Sequence, residues 1–241
     1  MEFKDKRILV VVAHPDDEVL GLGATMNMLI SEYGCTIRSV ILGEGITSRA
    51  DERNVSKWDR ELNIHRTNIL SAQKSIGYES IGIYDFPDNR FDTVPLLDLI
   101  KVVEKEKIEF KPEVIFTHHG GDLNVDHQRT FDAVITACRP MGNEEVKTII
   151  TFETMSGTEW RASSDPKHFV PNLFVEISEQ SLAAKIKAME AYEFERRPYP
   201  HPRSPKALRI RAQMWGVANG LDLAEAFQII REIMPIIKPS K

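Results

Sequence analysis

The run Ile8-Leu9-Val10-Val11-Val12-Ala13 is continuously apolar and rich in β-branched residues, and it is closed at once by His14-Pro15-Asp16-Asp17. A stretch apolar on both faces reads as a central parallel strand with helices packed on each side. Open α/β sheets bind ligands just past the carboxyl ends of such strands, which is where the tetrad falls. One imidazole and two carboxylates crowded into four residues repel and desolvate one another unless a cation or hydrogen bonds compensate. A metal site is the economical explanation.

The rest of the chain suits that strand. Further strands are expected at 36–42, 81–86, 114–117 and 146–153, with helical patterns between them at 19–32, 56–76, 95–107 and 126–138. Pro95 and Pro112 mark element starts, and Gly34 and Gly77 suit helix ends. Such alternation implies right-handed crossovers and a largely parallel sheet covered on both faces, a Rossmann-like α/β three-layer sandwich. After residue 154 the rhythm changes, with a strand expected at 173–177 and helices at 180–192 and 204–219. A chain of 241 residues can bury one substantial core. It reads as a single domain, 1–154 forming the core and 155–241 an extension that completes the crevice.

Composition narrows the function classes. A net charge of −5 argues against a general polyanion binder, so nucleic acid is not an expected partner. The first apolar run is too short for a signal peptide or a membrane span, and the cytoplasm is the expected compartment. Cys35 and Cys138 form no CxxC and read as buried thiols, not as a disulfide or a thiolate metal site. Gly21-Leu22-Gly23 is an incomplete dinucleotide fingerprint, since Met26 stands where a last small residue is needed; close helix–sheet packing explains these glycines better.

A second polar cluster, His118-His119-Gly120-Gly121-Asp122-Leu123-Asn124-Val125-Asp126-His127, follows the strand at 114–117. If the first and fourth strands lie near each other, both clusters overhang one crevice. Two imidazoles and a carboxylate around an open coordination position make a catalytic zinc site, which acidifies a water and polarises a carbonyl. A spare carboxylate beside it can take the water's proton. Asp16 and Asp17 point in different directions along the backbone and so supply both roles, though the residues alone do not say which is the ligand.

His14-Pro15-Asp16-Asp17-Glu18 after the first strand, with Gly121-Asp122 and Asn124-Val125-Asp126-His127 downstream, resembles the PIG-L/LmbE-like family of zinc-dependent N-acetyl sugar deacetylases. Gly43-Glu44-Gly45, Asp85-Phe86-Pro87-Asp88, Lys111-Pro112-Glu113-Val114 and Ala224-Glu225-Ala226-Phe227 extend the likeness through most of the chain. The resemblance implies that His14, Asp17 and His127 ligate one zinc ion, with Asp16 as general base. It implies hydrolysis of the N-acetyl group of an amino sugar or its conjugate. A non-sugar amide, or metal and sugar binding without turnover, are the alternatives, and iron(II) suits the same donors.

One position departs from the pattern. Many family members carry His-Pro-Asp-His here, and this chain has Asn124, which donates a hydrogen bond but is no acid near neutral pH. His118, His119 and His201 are the candidates for the missing proton donor. Arg49 and Arg53 are candidates to hold a hydroxyl or an anionic group. So are His201 and Arg203, within a segment at 196–211 that has six basic residues and no acidic one; it could steer an anionic substrate. Trp58 and Trp160 are candidates for stacking on a sugar ring. His65, between Arg60 and Arg66, reads as solvated, and His168 as structural. No integral membrane segment is expected, and a homo-oligomer is left open.

Overall fold

The computed structural model describes residues 2–142 and 144–234. Strand β1 (Arg7–Val12) sets the layering. Its Ile8, Val10 and Val12 face one core, and Leu9, Val11 and the following Ala13 face the other, all fully buried. The first core is filled from helices α1 (Asp17–Ser31), α2 (Asp59–Ile76) and α5 (Glu179–Ala191), through residues such as Leu20, Met26, Ile69, Ile76 and Met189. The second is filled from α3 (Leu96–Phe110) and α4 (Val125–Ala137), through Leu99, Val103, Ala133 and Val134. Each fully buried side chain of this size contributes about 1.5–3 kcal/mol. Burial on both faces is why the strand is apolar at every position.

The sheet adds β2 (Thr36–Gly43), β3 (Ser80–Phe86), β4 (Val114–His118), β5 (Thr148–Phe152), β6 (Leu173–Glu176) and β7 (Ala224–Glu232), in the order β3-β2-β1-β4-β5-β7-β6. The first five are parallel. This is the α/β three-layer sandwich with a mostly parallel sheet. Ile8 pairs with Ile37 on one side and Val114 on the other. The chain therefore leaves β1 towards β2 and later returns to its opposite flank, so the β1/β4 boundary is the topological switch point where such sheets open a crevice.

Strand β7 is the element sequence reading missed. Ala224-Glu225-Ala226 follows helix α6 (Pro205–Val217) and has helix-forming composition, yet it runs antiparallel between β5 and β6. Two ladders of hydrogen bonds override local propensity here.

Helix α1 is broken at Leu22, whose φ of −148° and ψ of 22° leave the helical range. Gly21 lies so close to Phe152 of β5 that a Cβ would fall 2.2 Å from the ring, which is the close packing the glycines suggest. The break frees backbone groups that need partners. Lys185 Nζ donates to Leu20 O at 2.8 Å, and Thr25 N donates to Glu225 Oε2 at 2.7 Å. Lys185 and Glu225 are themselves paired at 2.5 Å and buried.

Candidate metal centre and its crevice

The turn after β1 is shaped by Asp16, whose φ of 101° places a non-glycine residue in the left-handed region. That conformation costs on the order of 1–3 kcal/mol and is kept only where the surroundings enforce it. Here Asp16 N donates to Glu18 Oε2 at 3.2 Å, and Glu18 Oε1 in turn accepts from Tyr192 Oη at 2.5 Å. Asp16 O accepts from Val19 N and Leu20 N, starting α1. The consequence is divergence: Asp17 turns to the imidazoles and Asp16 turns to Arg203.

Asp17 Oδ2 lies 3.4 Å from His14 Nδ1 and 3.4 Å from His127 Nε2. His14, Asp17 and His127 place one donor atom each within 4.8 Å of the others. The far nitrogen of each histidine faces a buried carboxylate: His14 Nε2 meets Asp126 Oδ2 at 2.8 Å, and His127 Nδ1 lies 3.2 Å from Asp122 Oδ1. Carboxylates in this position fix the ring orientation of metal-binding histidines. The donors therefore fit a divalent cation, with two nitrogens and one oxygen converging and the remaining side open to the crevice. His14, Asp88 and Asp126 form a second cluster of donors. Its carboxylates are already bound by backbone N–H groups, Phe91 N on Asp126 and Ser48 N on Asp88, so it reads as support for His14.

Electrostatics agree. Burial works to raise the Asp17 carboxyl, but the charge on His127 beside it outweighs burial, and the carboxyl is held well below the usual range. Burial works to lower His127, but Asp17 and Asp122 push it up to about 9. His14 is likewise raised against burial, by Asp126 and Asp17. Positive charge is stabilised at both imidazoles, where a divalent cation would replace the protons.

The crevice encloses about 200 Å³. The C-terminal ends of β1, β2, β4 and β5 supply much of its lining, together with Glu195 and Arg203 from the segment before α6. Arg203 is seated by the start of α6, where Ser204 Oγ accepts from Ala207 N and Pro205 occupies the first turn. Arg203 Nη1 donates to Asp16 Oδ2 at 2.9 Å and to Glu195 Oε2 at 2.6 Å, while Nε donates to Ser156 Oγ at 2.8 Å. Burial raises the Asp16 carboxyl well above its ordinary value, and Arg203 opposes that rise.

Other sequence candidates fall differently. His118 does not line the crevice. It is fully buried, stacked on His127 with centroids 3.9 Å apart, and accepts Ala13 N–H on Nε2 at 2.9 Å. Its ring proton therefore sits on Nδ1, 2.9 Å from Thr154 Oγ1, and burial, with His127 adding to it, brings the ring down to about 4. A neutral, enclosed imidazole cannot hand a proton to a substrate in the crevice. His119 is held at Lys167 O. Asn124 does line the crevice, but its Oδ1 caps α4 at Asp126 N and its Nδ2 donates to Asn89 Oδ1 at 2.8 Å.

Arg49 lines the crevice, bound to Glu195 and Phe194 O. Arg53 instead grips Glu44 through Nε and Nη2, and His201 stands outside the lining with its Nδ1 accepting Arg203 N–H. Within the basic segment Arg209 pairs with Glu179 and Arg211 with Glu153, as Arg203 does with Asp16 and Glu195. Trp58 and Trp160 are not in the lining. His168 Nδ1 lies 2.7 Å from Asp165 O, a local structural contact.

His65 reverses its sequence reading. It is buried and lines the crevice, and neither ring nitrogen has a hydrogen-bond partner among the described residues. Its register with the buried Ile69, Ala72 and Ile76 is the i, i+4, i+7, i+11 stripe of a core face, a signal outweighed by the neighbouring arginines. Glu195 and Asp88 were also missed as lining residues. Asp88 closes the Asp85-Phe86-Pro87-Asp88 segment, whereas Glu195 carries no local signal.

Comparisons bear on this geometry. The PIG-L profile, described as GlcNAc-PI de-N-acetylase, matches residues 9–138, just over half of the chain. The uncharacterized deacetylase YaiS of Escherichia coli K12 is 28% identical over 195 residues, covering 79% of this chain and 92% of that protein. Among solved structures, the N,N'-diacetylchitobiose deacetylase of Pyrococcus horikoshii superimposes with a TM-score of 0.66 at 20% identity, over 96% of this chain and 88% of the other. GalB, a 4-carboxy-2-hydroxymuconate hydratase of Pseudomonas putida KT2440, gives 0.68 at 20% identity over 98% and 99%. The shared fold thus carries more than one reaction, and function has to be argued from the site. Among the described residues no helix is long and apolar enough to cross a membrane. By its sequence match through the strands and turns that build this centre, the chain belongs to the PIG-L family.

Proposed function

We propose that the protein is a metal-dependent hydrolase that removes the N-acetyl group from an N-acetylated amino sugar or its conjugate. The observation that carries this reading is the pairing of an open His14/Asp17/His127 donor set with a separate carboxylate, Asp16, pinned by Arg203 beside it. A divalent metal there, with zinc the best fit to the donors, would supply Lewis acidity towards the acetyl carbonyl and acidify a water at neutral pH.

The residues of the chain do the rest. Asp16 accepts the proton of the attacking water. Burial raises its proton affinity, so the same carboxyl then holds that proton and passes it to the departing amine. This removes the need for an acid at Asn124 or His118. Asn124 keeps α4 capped, and with it His127 in place. Met155, Ser156, Glu195 and Arg203 wall the crevice from the part of the chain after residue 154, so we take the whole chain as one domain. The expected extension to 241 includes 235–241, which lie outside the described residues.

The test is acetate release from a panel of N-acetylated sugars, free and nucleotide-linked, with non-sugar N-acetyl amides alongside. Chelated protein is assayed with and without Zn2+ and Fe2+. Metal-restored acetate from a sugar, abolished in Asp16→Asn at unchanged metal content, is the expected result. Release from non-sugar amides alone would move the substrate class, and full activity of Asp16→Asn would reject the base.

A further inference from the structure

The ring of His65 lines the crevice with both nitrogens buried and, among the described residues, without a hydrogen-bond partner. Native structures rarely leave a buried polar group unpaired without a reason. Nothing in the proton chemistry above uses this residue. Its place is well defined, since the rings of Tyr192 and Phe194 stand 6.1 and 5.8 Å away by centroid. On another side Gly45 has a φ of +69°, and a Cβ there would lie 3.2 Å from Cε1 and 3.4 Å from Nδ1. The glycine backbone thus stands close against that edge of the ring, with no room for a side chain between them.

The second nitrogen has a specific neighbour. His65 Nε2 lies 3.9 Å from Glu195 Oε1, the oxygen that Arg49 Nη2 already binds. Arg49 is the exposed member of this group, its side chain 37% accessible against 2% for His65. A shift of the arginine would leave Glu195 Oε1 and His65 Nε2 facing one another across a gap that one small polar group could bridge. A neutral imidazole presents one donor and one acceptor, and burial brings this ring down to about 4, so it stays neutral near pH 7. A donor, an acceptor and a carboxylate together suit hydroxyl groups, which both give and receive hydrogen bonds. With Arg203 still on Oε2, the freed Oε1 is an acceptor to which a hydroxyl can donate and an ionised phosphate or carboxylate oxygen cannot.

We propose that His65 is a specificity-determining contact that reads a hydroxyl of an uncharged sugar when Arg49 moves off Glu195. The substrate class rests on the deacetylase reading; the contact itself rests on the orphaned ring.

Zinc-loaded protein carrying 15N-labelled histidine is titrated with two probes, D-glucosamine and 2-aminoethanol. Both offer an amine, and only the first carries ring hydroxyls. The His65 nitrogen signals, assigned by their loss in His65→Gln, should move with D-glucosamine and not with 2-aminoethanol. His65→Phe should weaken D-glucosamine binding about three- to ten-fold, the range of one hydrogen bond, and leave 2-aminoethanol binding unchanged. His65→Gln should fall between the two proteins. Should His65→Phe fail to fold, the wild-type titration and His65→Gln decide. Silent His65 signals, equal weakening for both probes, or no binding of D-glucosamine would overturn the contact. Acetate release from N-acetyl sugars with silent His65 signals would sink the contact and keep the deacetylase. Responsive signals in a protein that releases no acetate would do the reverse.

Discussion

Arg203 and Asp16 are separated by 187 residues and joined by a hydrogen bond of 2.9 Å. The side chain of Asp16 is 3% exposed and that of Arg203 23%. A buried carboxylate in a left-handed turn is thus oriented by a guanidinium from the far end of the chain, itself anchored on Glu195 and Ser156. This arrangement ties the C-terminal third of the protein to the turn that carries Asp16.

Replacing Arg203 with Ala should lower kcat on neutral and anionic N-acetyl substrates alike. A misplaced base of this kind costs about 10²-fold. Paired kcat and KM measurements on a neutral and a phosphorylated sugar check the point. A rise in KM confined to the anionic substrate would instead restore the steering role that the basic segment suggests.

The carboxylates behind the two histidines should matter to metal retention. Asp126→Asn and Asp122→Asn preserve shape but weaken the orientation of His14 and His127. Each should lose about 10- to 100-fold in zinc affinity, measured by competition with a chelating dye, without loss of fold. His14→Ala, which removes a donor outright, should lose more than either. Equal affinities across the set would place the metal elsewhere.

The grouping of His14, Asp17 and His127 as candidate donors was legible because it is local to strand ends: the apolar run of β1 announces a buried strand, and the polar residues follow it directly. Its completion by His127 depended on β1 and β4 being neighbours, which the register shows. What was not legible is long-range or directional. Nothing near Arg203 announces Asp16, and nothing in the pair His118-His119 says that one ring turns beneath the sheet end and the other towards Lys167. His65 was misread for another reason: Arg60 and Arg66 on the same helix masked a periodic signal that was present. Strand β7 was missed because alanines and a glutamate favour helix until two neighbouring strands claim them.

His65 should also leave a mark on stability. Its folded value of about 4 lies below the ordinary 6.5, so the unfolded chain binds the extra proton first as pH falls. The contribution is complete above pH 6.5 and shrinks as pH drops towards 4, by about 3 kcal/mol in all. Urea unfolding of the wild type and His65→Gln at pH 7.5 and 4.5 isolates it as a difference of differences. The wild type should lose about 2–3 kcal/mol more than the variant over that interval, and parallel losses would show that the ring is not buried neutral.

The break in α1 gives the last prediction. Lys185 and Glu225 satisfy each other and also the two backbone groups freed at Leu20 and Thr25, just behind the turn that carries Asp16 and Asp17. Lys185→Met leaves Glu225 buried without its cation, and breaking such a pair costs about 3–5 kcal/mol. Glu225→Gln added to Lys185→Met removes the stranded charge while keeping an acceptor for Thr25 N. The double variant should therefore recover much of the loss in chemical denaturation. Because the orphaned Leu20 carbonyl persists, it should not recover all of it. A double variant as unstable as Lys185→Met would show that the amine's bond to the helix, not its charge, holds the kink.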